Sequence, residues 1–112
     1  MSKAKILRLH LSERDKYDSK PLYEAIVHKC REMKIAGATV FRGLEGYGQT
    51  ADIHRRHFAA RDQPIVIMII DSEDRISELL PIVEAMMDTG VIAMSDVEAL
   101  RVERGVNASK RT

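Results

Sequence analysis

The sequence predicts an α+β sandwich in which two helices cover one face of a four-stranded antiparallel sheet. Four segments carry the alternating or continuous apolar residues that are typical of strands, and two longer segments repeat apolar residues every three or four positions, as helices do. At 112 residues, of which 45% are hydrophobic and 31% charged, the chain has the size and composition of one globular domain.

The first predicted strand is followed by the first predicted helix. Ala4–Leu11 alternates leucines with polar residues, which indicates a strand. Asp18 or Ser19 is expected to cap the helix, Pro21 to lie in its first turn, and Gly37 to end it in a left-handed conformation. The apolar stripe of this helix comprises Leu22, Ile26, Cys30 and Met33.

A long polar connection separates the next two predicted strands. Ala38–Leu44 contains residues that favour extended backbone, and Ile65–Ile70 is apolar at every position. The connection at residues 45–63 is unusually long for a compact domain, and loops of this kind often carry function.

The last predicted helix and strand follow the third strand. Ser72 is expected to cap the helix, and Pro81 to kink or restart it, because proline removes one backbone hydrogen bond. Val97–Glu103 is predicted to be the fourth strand. The order strand–helix–strand–strand–helix–strand predicts a ferredoxin-like βαββαβ fold over residues 1–104, with residues 105–112 as a flexible tail.

The third strand also bears on assembly. Because side chains alternate between the two faces of a strand, the continuous apolar run Ile65–Ile70 places apolar residues on both faces of the sheet. The predicted helices cover only one face, so a second copy of the protein is predicted to cover the other. The alternative is a partly exposed face that is rich in β-branched residues.

The overall charge and composition argue against several classes of function. Eighteen basic and 17 acidic side chains leave a formal net charge of +1, so binding to nucleic acid or an anionic membrane would need a local basic patch. Aromatic residues make up 4% of the chain and none is tryptophan, which argues against a base-stacking surface. The single cysteine, Cys30, excludes an intrachain disulfide and a multi-cysteine metal site.

Neither a signal peptide nor a membrane span is expected from the apolar runs. The longest strongly apolar run, Pro64–Ile70, is far shorter than the roughly 20 residues that cross a bilayer. The charged residues after Met1 are followed by too short an apolar stretch for a secretion signal. The sequence therefore predicts a soluble, cytoplasmic protein that binds no nucleic acid and has no membrane span.

Glycine-containing turns are the strongest candidate ligand contacts. Gly46-Tyr47-Gly48 begins the long connection, where glycine lets the backbone approach a ligand closely. Thr89-Gly90 ends the second helix as a simple cap, or else it opens a turn over Val91–Asp96 whose N–H groups face phosphate. Together with Arg101 and Arg104, such turns would form a nucleotide cleft between subunits.

The long connection itself is locally basic. Arg55, Arg56 and Arg61 form a solvated surface in one interpretation, and contact a phosphate or a partner protein in the other. His54 and His57 have the spacing of two metal ligands on one helical face, although the sequence sets no third ligand.

Signatures of catalysis are missing from the sequence. It contains no Walker-type phosphate loop, HExxH or GxSxG motif. Cys30 lies on the apolar stripe of the first helix, which favours a packing role over a nucleophilic one. We therefore assign no catalytic residues, and the protein is predicted not to be an enzyme.

Several runs of residues together resemble one family. They are Lys20–Ala25, Ile35–Gly43, Gly46-Tyr47-Gly48 with Ile53-His54, Pro64–Asp71 and Leu80–Ile92. Over about residues 4–103 the chain resembles the PII-like family of small uncharacterised proteins, which is related to the nitrogen-regulatory PII signal proteins. The resemblance implies a homotrimer of ferredoxin-like subunits with ligand clefts between neighbours. It also implies that the loop at 45–63 changes shape on ligand binding and contacts a partner protein, such as a transporter or an enzyme.

Two motifs of PII proteins have counterparts in this chain. Gly46-Tyr47-Gly48-Gln49 is similar to the segment at the base of their long loop, and Thr89-Gly90-Val91-Ile92 is similar to the sequence before their phosphate-binding turn. PII proteins continue with Gly-Asp-Gly-Lys, whereas this chain has Ala93-Met94-Ser95-Asp96 and lacks the phosphate-binding lysine. The resemblance thus favours an adenine nucleotide such as AMP or ADP over Mg-ATP. The implied contacts are Gly46, Tyr47, Gly48, Gln49, Thr89, Gly90, Val91 and Arg101.

The leading hypothesis is a trimeric, non-enzymatic sensor of a small anionic ligand that signals through its long loop. The first alternative is a divalent-metal-associated protein of the PII superfamily, for which the pair His54 and His57 is the support. The second is an RNA-binding module of the same topology. Such modules stack bases on aromatic side chains of their central strands, and the first and third strands of this chain have none.

Overall fold

A computed structural model of the chain describes residues 1–44 and 63–105. Its main sheet has the strand order β4-β5-β1-β6, and every neighbouring pair is antiparallel. This arrangement confirms the predicted ferredoxin-like α+β fold. The elements are β1 Ser2–Ser12, β2 Lys16–Tyr17, β3 Lys20–Pro21, α1 Leu22–Glu32, β4 Ala38–Arg42, β5 Pro64–Ser72, α2 Glu73–Met86 and β6 Val91–Ala99.

The hydrophobic core lies between the sheet and the two helices. Alternate residues of the central strands point into it, and Leu7, Leu9 and Ile67 have no solvent exposure. The apolar sides of the two helices cover these side chains. The other large, almost fully buried residues are Leu22, Ile26, Ile65, Ile69, Ile76, Leu79 and Val83. Burying a side chain of this size stabilises the fold by roughly 1.5–3 kcal/mol.

Cys30 lies in this core, as its position on the apolar stripe predicts. Its residue surface is 3% exposed, and burial raises the pKa of its thiol to about 11. The thiol therefore stays protonated at neutral pH, and a protonated thiol is a poor nucleophile.

The segment before α1 differs from the prediction. Asp18 and Ser19 do not cap the helix, because they form the turn between β2 and β3 with positive φ angles of 51° and 69°. The helix starts after Pro21, which supplies no side-chain hydrogen bond. The N–H of Leu22 donates instead to the carbonyl of Asp15, at 2.8 Å. A backbone contact thus satisfies one of the free donors at the start of the helix.

The end of α1 also differs from the prediction. Lys34, not Gly37, has the left-handed conformation, with φ of 58°. The Arg75 guanidinium from α2 donates to the carbonyls of Met33 and Lys34. Because a residue of another helix holds these free carbonyls, the chain turns earlier than the glycine predicts.

The second helix begins as predicted. The hydroxyl of Ser72 accepts a hydrogen bond from the Arg75 N–H at 3.3 Å, so Ser72 is its cap. Pro81 lies within the helix without dividing it, and its side chain is exposed.

The last strand starts earlier than predicted. The sequence predicts this strand over residues 97–103, whereas the structure places it at Val91–Ala99. It pairs with β1 from Val91↔His10 to Ala99↔Ser2. The predicted turn over residues 91–96 was therefore wrong. Those residues are held in a continuous ladder with the central strand, whose hydrogen-bonding edge would otherwise stay unpaired.

The face of the sheet away from the helices, which we call the open face, is largely apolar. Phe41 is 50% exposed, Ile70 39% and Val91 57%. The register places Ile6, Val66 and Met68 on the same face. At its centre, Arg8 Nη1 donates to the hydroxyl of Ser95 at 3.4 Å. Within the described ranges, no helix is long and apolar enough to cross a membrane.

The packing of α2 gives a matched test of the core. Ile76 is 1% exposed and Ile82 36%. We expect Ile76→Ala to lower the free energy of unfolding by about 2–5 kcal/mol, because it removes buried methyl groups and leaves a cavity. Ile82→Ala should cost less than about 1 kcal/mol. Urea unfolding at one protein concentration measures both, and equal losses would contradict the described burial.

Candidate functional site

The antiparallel register places the candidate residues at two opposite ends of the sheet. At the end that we call the loop end, β1 finishes, β4 finishes at Arg42 and β5 starts at Pro64. The turn before β6 lies there too, because Val91 pairs with His10. At the other end, which we call the tail end, β1 starts and β6 finishes at Ala99.

Gly90 occupies a position in the loop-end turn that only glycine fits. Its φ is +130°, a conformation that other L-residues rarely adopt. A Cβ atom on Gly90 would lie 2.6 Å from the carbonyl oxygen of His10 and 2.8 Å from Cε of Met87. The turn therefore packs tightly against the end of β1.

The loop-end turn lines a small cavity of about 280 Å³. Its lining residues are Glu84, Met87, Asp88, Thr89, Gly90 and Ile92. Ligand pockets usually measure about 300–1,000 Å³, so this cavity can hold only part of a nucleotide. Its charged side chains are two carboxylates, and a phosphate at this place would need cations supplied from elsewhere.

The tail end holds a larger cavity with the opposite charge character. Its volume is about 590 Å³. Two cationic side chains, Lys3 and Arg101, line it beside Asp71. Arg101 is well exposed and its Nε lies 3.4 Å from Oε1 of Glu103. The remaining lining residues are Ser2, Ala4, Ala36, Gly37, Ile70, Ser72, Ala99, Leu100 and Val102.

Within one chain, the predicted ligand residues that the structure describes lie at opposite ends of the sheet. Because a strand rises about 3.3 Å per residue, the nine residues of β6 separate its two ends by roughly 30 Å. Thr89 and Gly90 lie at the loop end, whereas Arg101 lies beyond the tail end of β6. Val91 lies at the start of β6 with its side chain on the open face, and not in a turn.

The remaining predicted site residues lie outside the described residues. They are Gly46, Tyr47, Gly48 and Gln49 of the ligand set, Arg55, Arg56 and Arg61 of the partner set, and His54 and His57 of the metal alternative. Within residues 1–44 and 63–105, no three His, Cys, Asp or Glu side chains form a group that would hold a metal ion.

Sequence reasoning missed one ion pair at the loop end. Nε of Arg42 donates to Oε1 of Glu13 at 3.2 Å, and Nη2 donates to Oε2 at 2.5 Å. The Glu13 carboxylate, followed by the Tyr23 hydroxyl, raises the pKa of the Arg42 guanidinium. The two partners are 29 positions apart and no spacing rule connects them, so the sequence carried no signal for this pair.

The profile of the DUF190 family, described as "Uncharacterized ACR, COG1993", matches residues 4–99. The chain belongs to the DUF190 family. It is 38% identical over 101 residues to a UPF0166 protein of Aquifex aeolicus, covering 88% of this chain and 94% of the relative. The predicted membership of a family of small uncharacterised proteins is confirmed.

Solved structures share the fold of this DUF190 chain. One is the PII-like protein CPII of Thiomonas intermedia K12, bound to ADP, AMP and bicarbonate, with TM-score 0.64, 24% identity and coverage of 88% of this chain and 90% of that one. Another, described as a "putative PII-like signaling protein" of Thermus thermophilus, has TM-score 0.65 and 16% identity, with 95% of each chain covered.

The fold is shared beyond PII-like proteins. The divalent ion tolerance protein CutA1 of Ehrlichia chaffeensis has TM-score 0.59 and 14% identity, covering 95% of this chain and 90% of that one. At these identities the likeness establishes the ferredoxin-like fold of the DUF190 chain, and the fold alone does not decide between ligands.

The loop-end turn offers a matched pair of glycine substitutions. We expect Gly90→Ala to lower the free energy of unfolding by about 1–3 kcal/mol. Alanine rarely adopts a φ of +130°, and its Cβ would lie too close to the carbonyl oxygen of His10. Nothing lies within 4 Å of a Cβ built on Gly37, so Gly37→Ala should change stability by no more than about 1 kcal/mol. Thermal and urea unfolding measure both variants, and a neutral Gly90→Ala would contradict the described turn.

Proposed function

We propose that this DUF190 chain forms a homotrimer that binds a small anionic ligand, such as AMP or ADP, in clefts between neighbouring subunits. It acts as a non-enzymatic regulator, and residues 45–63 contact a partner protein. The observation that carries the proposal is the separation of two complementary cavities to opposite ends of one sheet. One chain cannot join them, but two adjacent copies can.

Charge supports the pairing of the two ends. The loop-end cavity combines the backbone turn at Gly90 with the carboxylates of Glu84 and Asp88. The tail-end cavity contributes the cations Lys3 and Arg101 beside one carboxylate, Asp71. When the tail end of one copy faces the loop end of the next, its cations offset those carboxylates. A guanidinium then lies near a glycine turn, and guanidinium groups bind phosphate through paired hydrogen bonds.

The open face supports self-association. Its exposed apolar side chains include Phe41 and Ile70 on β4 and β5, beside Met68. Contiguous apolar surface of this kind usually marks an interface, and closed symmetric assemblies of one chain are the commonest way to cover it. The fold likeness to PII-like proteins favours three copies.

The nature of the ligand is inferred from the turn and from a structural neighbour. CPII was solved with ADP and AMP, which makes adenine nucleotides the first candidates for this chain. Residues 93–96, which stand where PII proteins have Gly-Asp-Gly-Lys, belong to strand β6 and include no lysine. These residues therefore offer neither a turn nor a lysine to further phosphate groups, which favours AMP or ADP over Mg-ATP.

The mechanism is a shift between conformations of the loop. A ligand that contacts only one arrangement of residues 45–63 increases the population of that arrangement, because binding free energy is gained in that state alone. The partner protein then distinguishes the ligand-bound from the ligand-free trimer. No covalent chemistry is required, and a cytoplasmic location fits a regulator of this kind.

Assembly is tested by sedimentation equilibrium. The chain mass is 12.7 kDa, and we expect a species of three times that mass. Phe41→Glu should dissociate it, because the substitution places a carboxylate on the exposed apolar part of the open face, whereas Ile82→Glu on α2 should leave the mass unchanged. A wild-type protein that sediments only at 12.7 kDa would contradict the proposal.

Ligand binding is tested by isothermal titration calorimetry with AMP, ADP and Mg-ATP. We expect AMP or ADP to bind, and Arg101→Gln to weaken that binding about tenfold, because a hydrogen bond to a charged group is lost. Arg31→Gln, on the exposed side of α1, is the matched control and should leave the affinity unchanged.

Two outcomes of the same experiment would contradict the nucleotide proposal. One is the absence of heat with every adenine nucleotide at millimolar concentration. The other is a stoichiometric divalent metal in protein purified without a histidine tag, combined with no nucleotide binding. That second result would support the metal-associated alternative, to which the CutA1 fold likeness also points.

A further inference from the structure

Glu13 contacts both strands that lead into and out of segment 45–62. Its carboxylate binds Arg42, the last residue of β4, through two hydrogen bonds. Its backbone N–H donates to the carbonyl of Gln63 at 2.9 Å, immediately before β5. We propose that Glu13 is a positioning residue that fixes the end of β4 relative to the start of β5 at the loop end. We call these two contacts the Glu13 bridge.

The bridge spans three strands. In the sheet order, β5 lies between β4 and β1, and Glu13 directly follows β1. The register aligns Arg42 with Ile65 and Ile65 with Leu11, so these three residues share the helix-facing side. Adjacent strands are about 4.8 Å apart, so two strand spacings separate the partners and only long side chains can join them. The Glu13–Arg42 pair therefore crosses over the first residues of β5.

The Glu13 bridge adds a contact to the end of β4, which is a short strand at the edge of the described sheet. The strand has five residues, none of them fully buried, and among residues 1–44 and 63–105 its strand partner is β5. Directly after β4, the N–H of Gly43 donates a hydrogen bond to the carbonyl of Pro64 at 2.8 Å. A short edge strand without buried side chains frays easily, so a charge-assisted contact at its end limits that motion.

The bridge also connects the loop end to the start of α1. Ser12–Asp15 forms a tight turn in which the N–H of Ser12 donates to the Asp15 carboxylate at 2.9 Å. The carbonyl of Asp15 accepts from the N–H of Leu22, the first residue of α1, at 2.8 Å. A change in the spacing of β4 and β5 therefore reaches α1 through the Glu13–Arg42 side chains and the hydrogen bonds of this turn.

The Glu13–Arg42 ion pair is partly shielded from solvent, and a second surface ion pair serves as its control. Glu13 is 18% exposed and Arg42 47%, so solvent screens their attraction only in part. Glu32 and Lys29, at 3.0 Å, form an ion pair of similar distance within α1, away from the strand ends. Glu32→Gln is therefore a matched control that also removes one carboxylate from a surface pair.

The test is a double-mutant cycle that follows amide hydrogen exchange by NMR. Glu13→Gln and Arg42→Gln should each speed exchange at the Gly43 and Glu13 amides about two- to fivefold, since an exposed ion pair stabilises by roughly that factor. The double variant should exchange no faster than Arg42→Gln alone, because Glu13→Gln removes a contact that Arg42→Gln has already removed, and Arg42→Gln also loses the contact with the Tyr23 hydroxyl. The amides of Leu9 and Ile67 in the central strands should keep their wild-type exchange rates in these variants. In the control variant Glu32→Gln, all four amides should exchange at the wild-type rate.

Three results would overturn the proposal. They are unchanged exchange at the Gly43 and Glu13 amides in the single variants, additive effects in the double variant, or equal acceleration at Leu9 and Ile67. The last result would mean that Glu13 contributes to global stability and does not position the strand ends.

The role of the bridge in ligand binding rests on the proposed function and has its own measurement. We expect the affinity for AMP or ADP to fall by the same two- to fivefold factor in Glu13→Gln. Unchanged affinity together with faster exchange would overturn the link between the bridge and the ligand site. If the wild-type protein binds no nucleotide, the proposed function is wrong. The exchange data still test whether Glu13 positions the ends of β4 and β5.

Discussion

The register of β1 is the constraint on which the rest of the structure depends. β1 is hydrogen-bonded to β5 on one side and to β6 on the other, so both neighbours take their position from it. Its leucines, Leu7 and Leu9, are fully buried under the helices, while Arg8 lies on the open face. A shift of one residue would exchange these faces and bury a guanidinium in an apolar core, which is strongly unfavourable. The core therefore excludes a one-residue shift of this pairing.

This register also determines which residues meet at each end of the sheet. Because β1 runs antiparallel to both neighbours, its last residues lie beside the starts of β5 and β6, and its first residues lie beside their ends. Glu13 and Gly90 are thereby placed at the loop end, and Lys3 and Arg101 at the tail end. The charge separation along the sheet is thus a direct consequence of core packing, although none of these four residues lies in the core.

The sequence predicts the elements that a periodic apolar pattern defines and misses those that long-range contacts define. The leucines of β1 and the isoleucines of β5 signal buried strands, and Ser72 signals its helix start. The start of β6 was missed because an edge strand buries few side chains and so lacks a clear alternation. The left-handed Lys34 depends on Arg75, 41 positions away, and the bridge from Glu13 to Arg42 joins residues 29 positions apart. Neither contact has a local sequence signal.

The near-neutral net charge of +1 does not show that the cavities at the two ends of the sheet differ in charge. Glu84 and Asp88 line the loop-end cavity, whereas Lys3 and Arg101 line the tail-end cavity roughly 30 Å away along β6. A contact between these ends joins different surfaces of two copies, and repeated contacts of this type close into a ring when the rotation between copies allows it. The proposed trimer is such a ring. In it, each interface combines a glycine turn from one subunit with cations from the next, so assembly and ligand binding depend on the same complementarity of charge.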